Sequence, residues 1–167
     1  TIPLDLKAAE EHLMRFLSVE GVTGQEAAIA AAVTDELKKV GVPASAIRFD
    51  TVNKRIPLPT QTGNLLVDLP GTRTGPRLLF ATHLDTVLLC AGAKPKREGD
   101  RIVSDGTTAL GGDNRTGETS AADFIEAGDE LESALPRLLL ENQTALGYLH
   151  VAKQRDAGER FCFVNQI

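Results

Sequence analysis

The sequence has few of the features that mark several protein classes. Its 167 residues include only two cysteines, Cys90 and Cys162, which excludes a disulfide scaffold and predicts reduced thiols. No apolar run approaches the roughly 18 residues of a membrane span. The 18 Lys and Arg residues do not exceed the 23 Asp and Glu residues, which argues against nucleic acid as a partner. The first residues show no basic segment followed by an apolar run, so we expect a cytoplasmic protein.

The remaining composition is typical of one globular domain. Hydrophobic residues make up 42% of the chain and charged residues 25%, which excludes a disordered or low-complexity protein. The net charge of −5 is concentrated towards one end, because residues 1–117 hold 14 acids and 14 bases, whereas residues 118–167 hold 9 acids and 4 bases. We therefore predict two parts, residues 1–117 and an acidic tail of residues 118–167 that packs on the same domain.

Hydrophobic periodicity predicts an α/β fold, with a central mixed sheet flanked by helices. Two amphipathic helices are predicted over residues 5–18 and 25–40. Asp5 stands in the N-cap position of the first, and Thr23 and Glu26 have the spacing of a capping box before the second. Short apolar runs predict strands near residues 47–49, 65–69, 77–82 and 161–164. In the tail, residues 118–131 and 135–150 are compatible with helices.

Two polar segments carry the residues that suit a catalytic or metal site. His83 and Asp85 directly follow a predicted buried strand, where open α/β sheets usually bind ligands, and residues two apart on extended backbone share a face. A histidine beside a carboxylate is the usual pairing of a metal ligand and the group that orients it. The second segment, residues 104–117, contains four glycines and Asp113, a carboxylate able to bind one metal or bridge two. Taken alone, a histidine such as His83 at the end of a strand is more often structural than a ligand, and the glycine-rich segment is equally compatible with a plain loop.

Together and in this order, the segments resemble the catalytic domain of the co-catalytic di-zinc exopeptidases. The strings HLDTV at residues 83–87 and SDGTTALGGDNRTG at residues 104–117 look closest to the peptidase T-like branch. The resemblance covers about residues 5–117, and it implies part of a zinc-exopeptidase catalytic domain.

The resemblance also implies roles for individual residues. His83 matches the first zinc ligand, Asp85 the catalytic-site carboxylate that orients this ligand, and Asp113 the aspartate that bridges both zinc ions. The peptide bond after the bridging aspartate is commonly cis in this family, so the bond between Asp113 and Asn114 is expected to be cis. The implied function is zinc-dependent removal of N-terminal residues from short peptides. The implied substrate is a short peptide or an N-acyl amino acid, and a homodimer is compatible with the family.

One departure from the family pattern keeps a second hypothesis open. Members of the family need a Glu-Glu pair after the bridging aspartate, whose first glutamate is the general base and whose second binds zinc. The expected window, residues 142–150, holds no adjacent glutamates. The alternative is therefore a non-catalytic, truncated or rearranged remnant that acts as a small α/β binding module.

Overall fold

The computed structural model describes residues 5–69, 77–127, 150–154 and 159–164, and these form an α/β fold, as predicted. The helices are α1 (Leu6–Leu17), α2 (Ala27–Lys39) and α3 (Gly112–Ala127). The strands are β1 (Ile47–Phe49), β2 (Leu65–Leu69), β3 (Arg77–His83), β4 (Pro95–Glu98), β5 (Arg101–Ser104), β6 (His150–Gln154) and β7 (Glu159–Val164). Among these described residues, no helix has the length and apolar content needed to cross a membrane.

The central sheet is mixed and has five strands in the order β1-β2-β7-β3-β6. Strands β3 and β7 run parallel, and the other neighbouring strands are antiparallel. Because β3 and β7 share a direction, His83 at the end of β3 lies opposite Val164 at the end of β7. Strands β4 and β5 form a separate antiparallel hairpin.

The two N-terminal helices pack on the sheet through the apolar side chains whose helical spacing predicted them. The shared core of buried side chains includes Phe16 of α1, Ile29 and Leu37 of α2, and Leu65 and Val67 of β2. On β2 the two buried residues alternate with less buried ones, as expected for a strand with one face on the core. Burying such side chains contributes about 1.5–3 kcal/mol each.

The start of α1 confirms one predicted cap, and the start of α2 corrects the other. The Asp5 carboxylate accepts hydrogen bonds from the backbone N–H groups of Lys7 and Ala8, each at 3.0 Å. In contrast, α2 has Glu26 at its N-cap position without a side-chain cap. The predicted capping box is therefore wrong. The Thr23 hydroxyl is instead used in a long-range contact with Asp85.

The tail contributes two strands to the sheet, and the strand predicted at residues 161–164 is confirmed as part of β7. The predicted helix over residues 118–131 is described as far as Ala127, where it belongs to α3. The predicted helix over residues 135–150 lies outside the described residues, except that His150 begins β6. The division of the chain at residue 117 stays a prediction, and α3 crosses that position.

Candidate metal centre

The carboxyl end of β3 places the His83 imidazole between two carboxylates. The Nδ1 atom lies 2.9 Å from the Asp85 carbonyl oxygen and 3.2 Å from Asp85 Oδ1. Because a carbonyl oxygen only accepts, Nδ1 carries the proton and donates it. The opposite ring nitrogen, Nε2, lies 3.1 Å from Asp113 Oδ1. The structure thus brings together three residues singled out from the sequence, although His83 and Asp113 are 30 positions apart.

These contacts set the protonation of His83. The hydrogen bond to the Asp85 side chain raises the pKa of His83 above its ordinary value, burial opposes this, and the contact with Asp113 raises it further. The cation is favoured because both ring nitrogens face anionic oxygen atoms. A metal cation bound to Nε2 would be stabilised by the same two carboxylates, those of Asp85 and Asp113.

Asp85 is held in place from the loop between α1 and α2. The Thr23 hydroxyl donates a hydrogen bond of 2.6 Å to Asp85 Oδ2. The backbones of the two segments are also paired, since the N–H of Thr86 donates to Gly21 O at 2.8 Å and the N–H of Thr23 donates to Thr86 O at 3.0 Å. Asp85 is only 5% exposed. Its carboxylate is thus fixed beside His83 by residues more than sixty positions earlier in the chain.

Asp113 lies at the start of α3, where the backbone is not yet helical. Asp113 and Asn114 have non-helical dihedral angles, and the peptide bond between them is cis, as the resemblance led us to expect. The Asn114 Oδ1 atom accepts a hydrogen bond of 3.0 Å from the N–H of Gly117, which caps the first regular turn. The Asp113 side chain is 70% exposed. Its carboxylate therefore faces both His83 and solvent.

Gly117 lets α3 approach β3 closely. A Cβ atom at this position would lie 2.3 Å from Thr82 Oγ1 and 2.5 Å from Asn114 Oδ1. Both distances are shorter than any normal van der Waals contact, so a larger residue would push the helix away from the strand. The close packing fixes the start of α3, and with it Asp113, relative to the end of β3.

A buried, hydrogen-bonded arginine and glutamate lie beneath the centre, and the sequence analysis did not predict them. Arg115 Nη1 is 2.8 Å from Glu118 Oε1, and the two side chains are 2% and 0% exposed. Burial raises the pKa of Glu118 to about 8, while the positive charge of Arg115 acts in the opposite direction. In the sequence this pair has the spacing of an ordinary surface pair on a helix, so no local signal distinguishes it.

The residues at this centre fit a zinc ion in kind and in spacing. Imidazole nitrogen and carboxylate oxygen are both zinc ligands, and two such atoms bound to one tetrahedral zinc lie roughly 3.3 Å apart. The observed separation of His83 Nε2 and Asp113 Oδ1 is 3.1 Å. The described residues contain no group of three or more His, Cys, Asp or Glu side chains placed to hold a metal. His83 and Asp113 would therefore supply only two ligands, whereas protein zinc sites usually have three or four.

Comparison with solved structures identifies the fold. The chain superposes on a tripeptidase from Staphylococcus aureus with a TM-score of 0.72 and 20% identity, covering 97% of this chain and 37% of that one. For the aminopeptidase PepT from Bacillus cereus, the TM-score is 0.71 and the identity 25%, with 96% and 36% covered. An aminoacylhistidine dipeptidase from Vibrio alginolyticus matches with a TM-score of 0.58 and 15% identity, with 98% and 28% covered.

Sequence comparison gives a shorter match. Over 116 residues the chain is 30% identical to the Bacillus subtilis protein YqjE, covering 70% of this chain and 30% of YqjE. No protein-family model matches the sequence. The chain spans about a third of the length of these proteins. The resemblance predicted from the motifs is thus confirmed, and the chain has the fold of a segment of a peptidase T-like exopeptidase.

Proposed function

We propose that this chain carries part of the metal centre of a zinc-dependent exopeptidase, with His83 and Asp113 as ligands and Asp85 as the residue that orients His83. The proposal depends mainly on one observation, the placement of the His83 imidazole between Asp85 and Asp113 at the end of β3. The similarity of the fold to a tripeptidase and to an aminopeptidase supports it. The proposed substrates are short peptides or N-acyl amino acids.

The arrangement of His83 suits a metal ligand. With Nδ1–H donated to Asp85, Nε2 is the ring nitrogen that faces Asp113. A zinc ion would replace the proton on Nε2, and the neutral imidazole would then donate its lone pair to the metal. Zinc at such a centre supplies Lewis-acid chemistry, which polarises a scissile carbonyl and activates water near neutral pH. Asp85 fixes the tautomer and the ring orientation, which usually strengthens metal binding.

We expect weak zinc binding and little hydrolysis from these 167 residues on their own. Two protein ligands are fewer than the three of a typical catalytic zinc site. In the part of the chain that the structure describes, no further carboxylate joins His83 and Asp113 as a metal-binding group. Without a positioned general base, hydrolysis loses about 10²–10⁴ in rate. The small number of ligands among the described residues also favours the second candidate function, a non-catalytic α/β binding module.

Titration of the purified chain with zinc, followed by calorimetry, tests the ligand assignment. We expect weak binding to one site, lost in His83→Ala because half of the described ligand set is removed. The matched control is His12→Ala, since His12 lies on α1 near Glu36 and away from this centre. Zinc binding that survives in His83→Ala, or that is lost equally in His12→Ala, would contradict the assignment.

An activity assay separates the two candidate functions. The wild-type chain, with zinc present, is incubated with di- and tripeptides, and release of the N-terminal amino acid is measured. No turnover together with His83-dependent zinc binding supports the binding module. Robust turnover that depends on His83 supports the exopeptidase and shows that the remaining ligands and the base come from residues outside the described part.

A further inference from the structure

The guanidinium of Arg115 joins three separate segments beneath the metal centre. Arg115 Nη1 donates to the carbonyl of Leu84 and to Glu118 Oε1, and Nη2 donates to the carbonyl of Val19 at 3.3 Å. Leu84 follows β3, Val19 follows α1, and Glu118 lies one turn beyond Arg115 on α3. A single buried side chain thus links the end of the strand, the loop after the first helix and the third helix.

Two of these contacts act on the backbone that carries the proposed ligands. Leu84 stands between His83 and Asp85, so the hydrogen bond from Arg115 to its carbonyl fixes the plane of the peptide bond between Leu84 and Asp85. Val19 lies close in sequence to Gly21, whose carbonyl accepts the hydrogen bond of Thr86 N–H at 2.8 Å. Arg115 therefore holds both sides of the pairing between residues 21–23 and residue 86.

The space around the guanidinium is tightly defined. A Cβ atom on Gly21 would lie 2.7 Å from Arg115 Nη2, so a larger residue there would displace the guanidinium. Arg115 is 2% exposed, and a buried cation is tolerated only when its N–H groups have acceptors. The planar fork of arginine reaches several acceptors in fixed directions, whereas a lysine ammonium does not present that geometry.

We propose that Arg115 is a positioning residue for the His83–Asp85–Asp113 centre, acting through the carbonyls of Leu84 and Val19; the proposal rests on the function proposed above. The guanidinium of Arg115 reaches this centre through backbone carbonyls, those of Leu84 and Val19. Its effect is to keep the segment after β3 in the one backbone conformation that presents His83 and Asp85 together. Glu118 accepts the third hydrogen bond of the Arg115 guanidinium.

The test compares Arg115→Lys with Arg15→Lys in the full chain. Arg15 pairs with Glu36 and links α1 to α2, so its variant controls for loss of an ion pair away from the centre.

Amide hydrogen exchange is measured for Thr86, whose N–H is bonded to Gly21, and for Ala30, whose N–H is bonded to Glu26 within α2. In Arg115→Lys we expect exchange of Thr86 to accelerate at least about tenfold more than that of Ala30, because the opening is local. In Arg15→Lys the two amides should change by similar factors.

Zinc titration provides the second readout. Arg115→Lys should weaken zinc binding by about 10–100-fold, as is typical when groups supporting the ligands are changed, whereas Arg15→Lys should not. If Arg115→Lys does not fold, Arg115→Gln replaces it, because glutamine buries no charge and still makes fewer hydrogen bonds than arginine. We expect the same selective acceleration of Thr86 exchange and the same weakening of zinc binding in that variant. Equal acceleration of Thr86 and Ala30 would overturn the proposal. Failure of the wild-type chain to bind zinc would refute the proposed function instead, while the exchange of Thr86 would still decide the role of Arg115.

Discussion

Replacing Glu118 with glutamine should make the stability of the chain less sensitive to pH. The folded chain holds a proton on Glu118 up to the raised pKa of about 8, whereas the unfolded chain releases it near the ordinary value of 4.5. Between these two values the folded state binds the additional proton, so the free energy of unfolding falls as the pH rises. The slope reaches about 1.4 kcal/mol per pH unit for one group.

The expected size of the effect follows from that slope. Between about pH 6 and about pH 8, Glu118 should cost the wild type about 2–3 kcal/mol of stability that Glu118→Gln does not lose. Glutamine has nearly the same size and keeps an acceptor for Arg115 Nη1, so packing should change little. Arg115, His83 and Asp85 are the charged neighbours that act on Glu118. They are present in both proteins, and their own contributions cancel to first order in the difference.

The assay is urea unfolding at several pH values, followed by circular dichroism. The difference in free energy of unfolding between variant and wild type should increase steadily from about pH 6 to about pH 8 and level off above that range. Glu11→Gln is the matched control, because the Glu11 side chain is 68% exposed and its charge remains in water after folding. A difference that stays constant across this range would show that Glu118 is ionised at neutral pH and refute the reasoning.

Two further substitutions test the packing around the centre. Gly117→Ala should destabilise the chain by about 1–2 kcal/mol in urea unfolding, because the overlap with Thr82 outweighs the better helix propensity of alanine. Gly112→Ala is its control, because a Cβ atom there meets nothing within 4 Å. A Gly117→Ala variant that is more stable than the wild type would contradict the close approach of α3 to β3. Thr23→Val should cost about 1–3 kcal/mol, because it removes the hydroxyl that donates to the buried Asp85 carboxylate. Unchanged stability and zinc affinity in Thr23→Val would show that Asp85 does not need this support.

Local patterns in the sequence were sufficient for the two N-terminal helices, several strands and the first half of the centre, whereas α3 begins at Gly112, six residues before the predicted start. The stripe that contains Ile29 and Leu37 predicts α2 because helical periodicity is a property of neighbouring residues. His83 and Asp85 are two positions apart at the predicted end of a strand, where the period of two predicts that their side chains share a face. In the structure β3 ends at His83, and the Thr23 hydroxyl holds the Asp85 carboxylate beside the ring. The pairing of His83 with Asp113 was expected from the family motifs, which carry long-range information that the periodicity of the chain does not contain.

Only the tertiary structure decided which polar side chains are buried and what they contact. Thr23 and Glu26 have the spacing of a helix cap. However, the segment after β3 lies next to Thr23 in the fold, and the Thr23 hydroxyl donates its hydrogen bond to Asp85 instead. Arg115 and Glu118 have the spacing of an exposed ion pair, and they become buried because α3 packs under the backbone of Leu84. Sequence determines local conformation through neighbouring residues, whereas burial and its electrostatic consequences depend on segments that lie far apart along the chain.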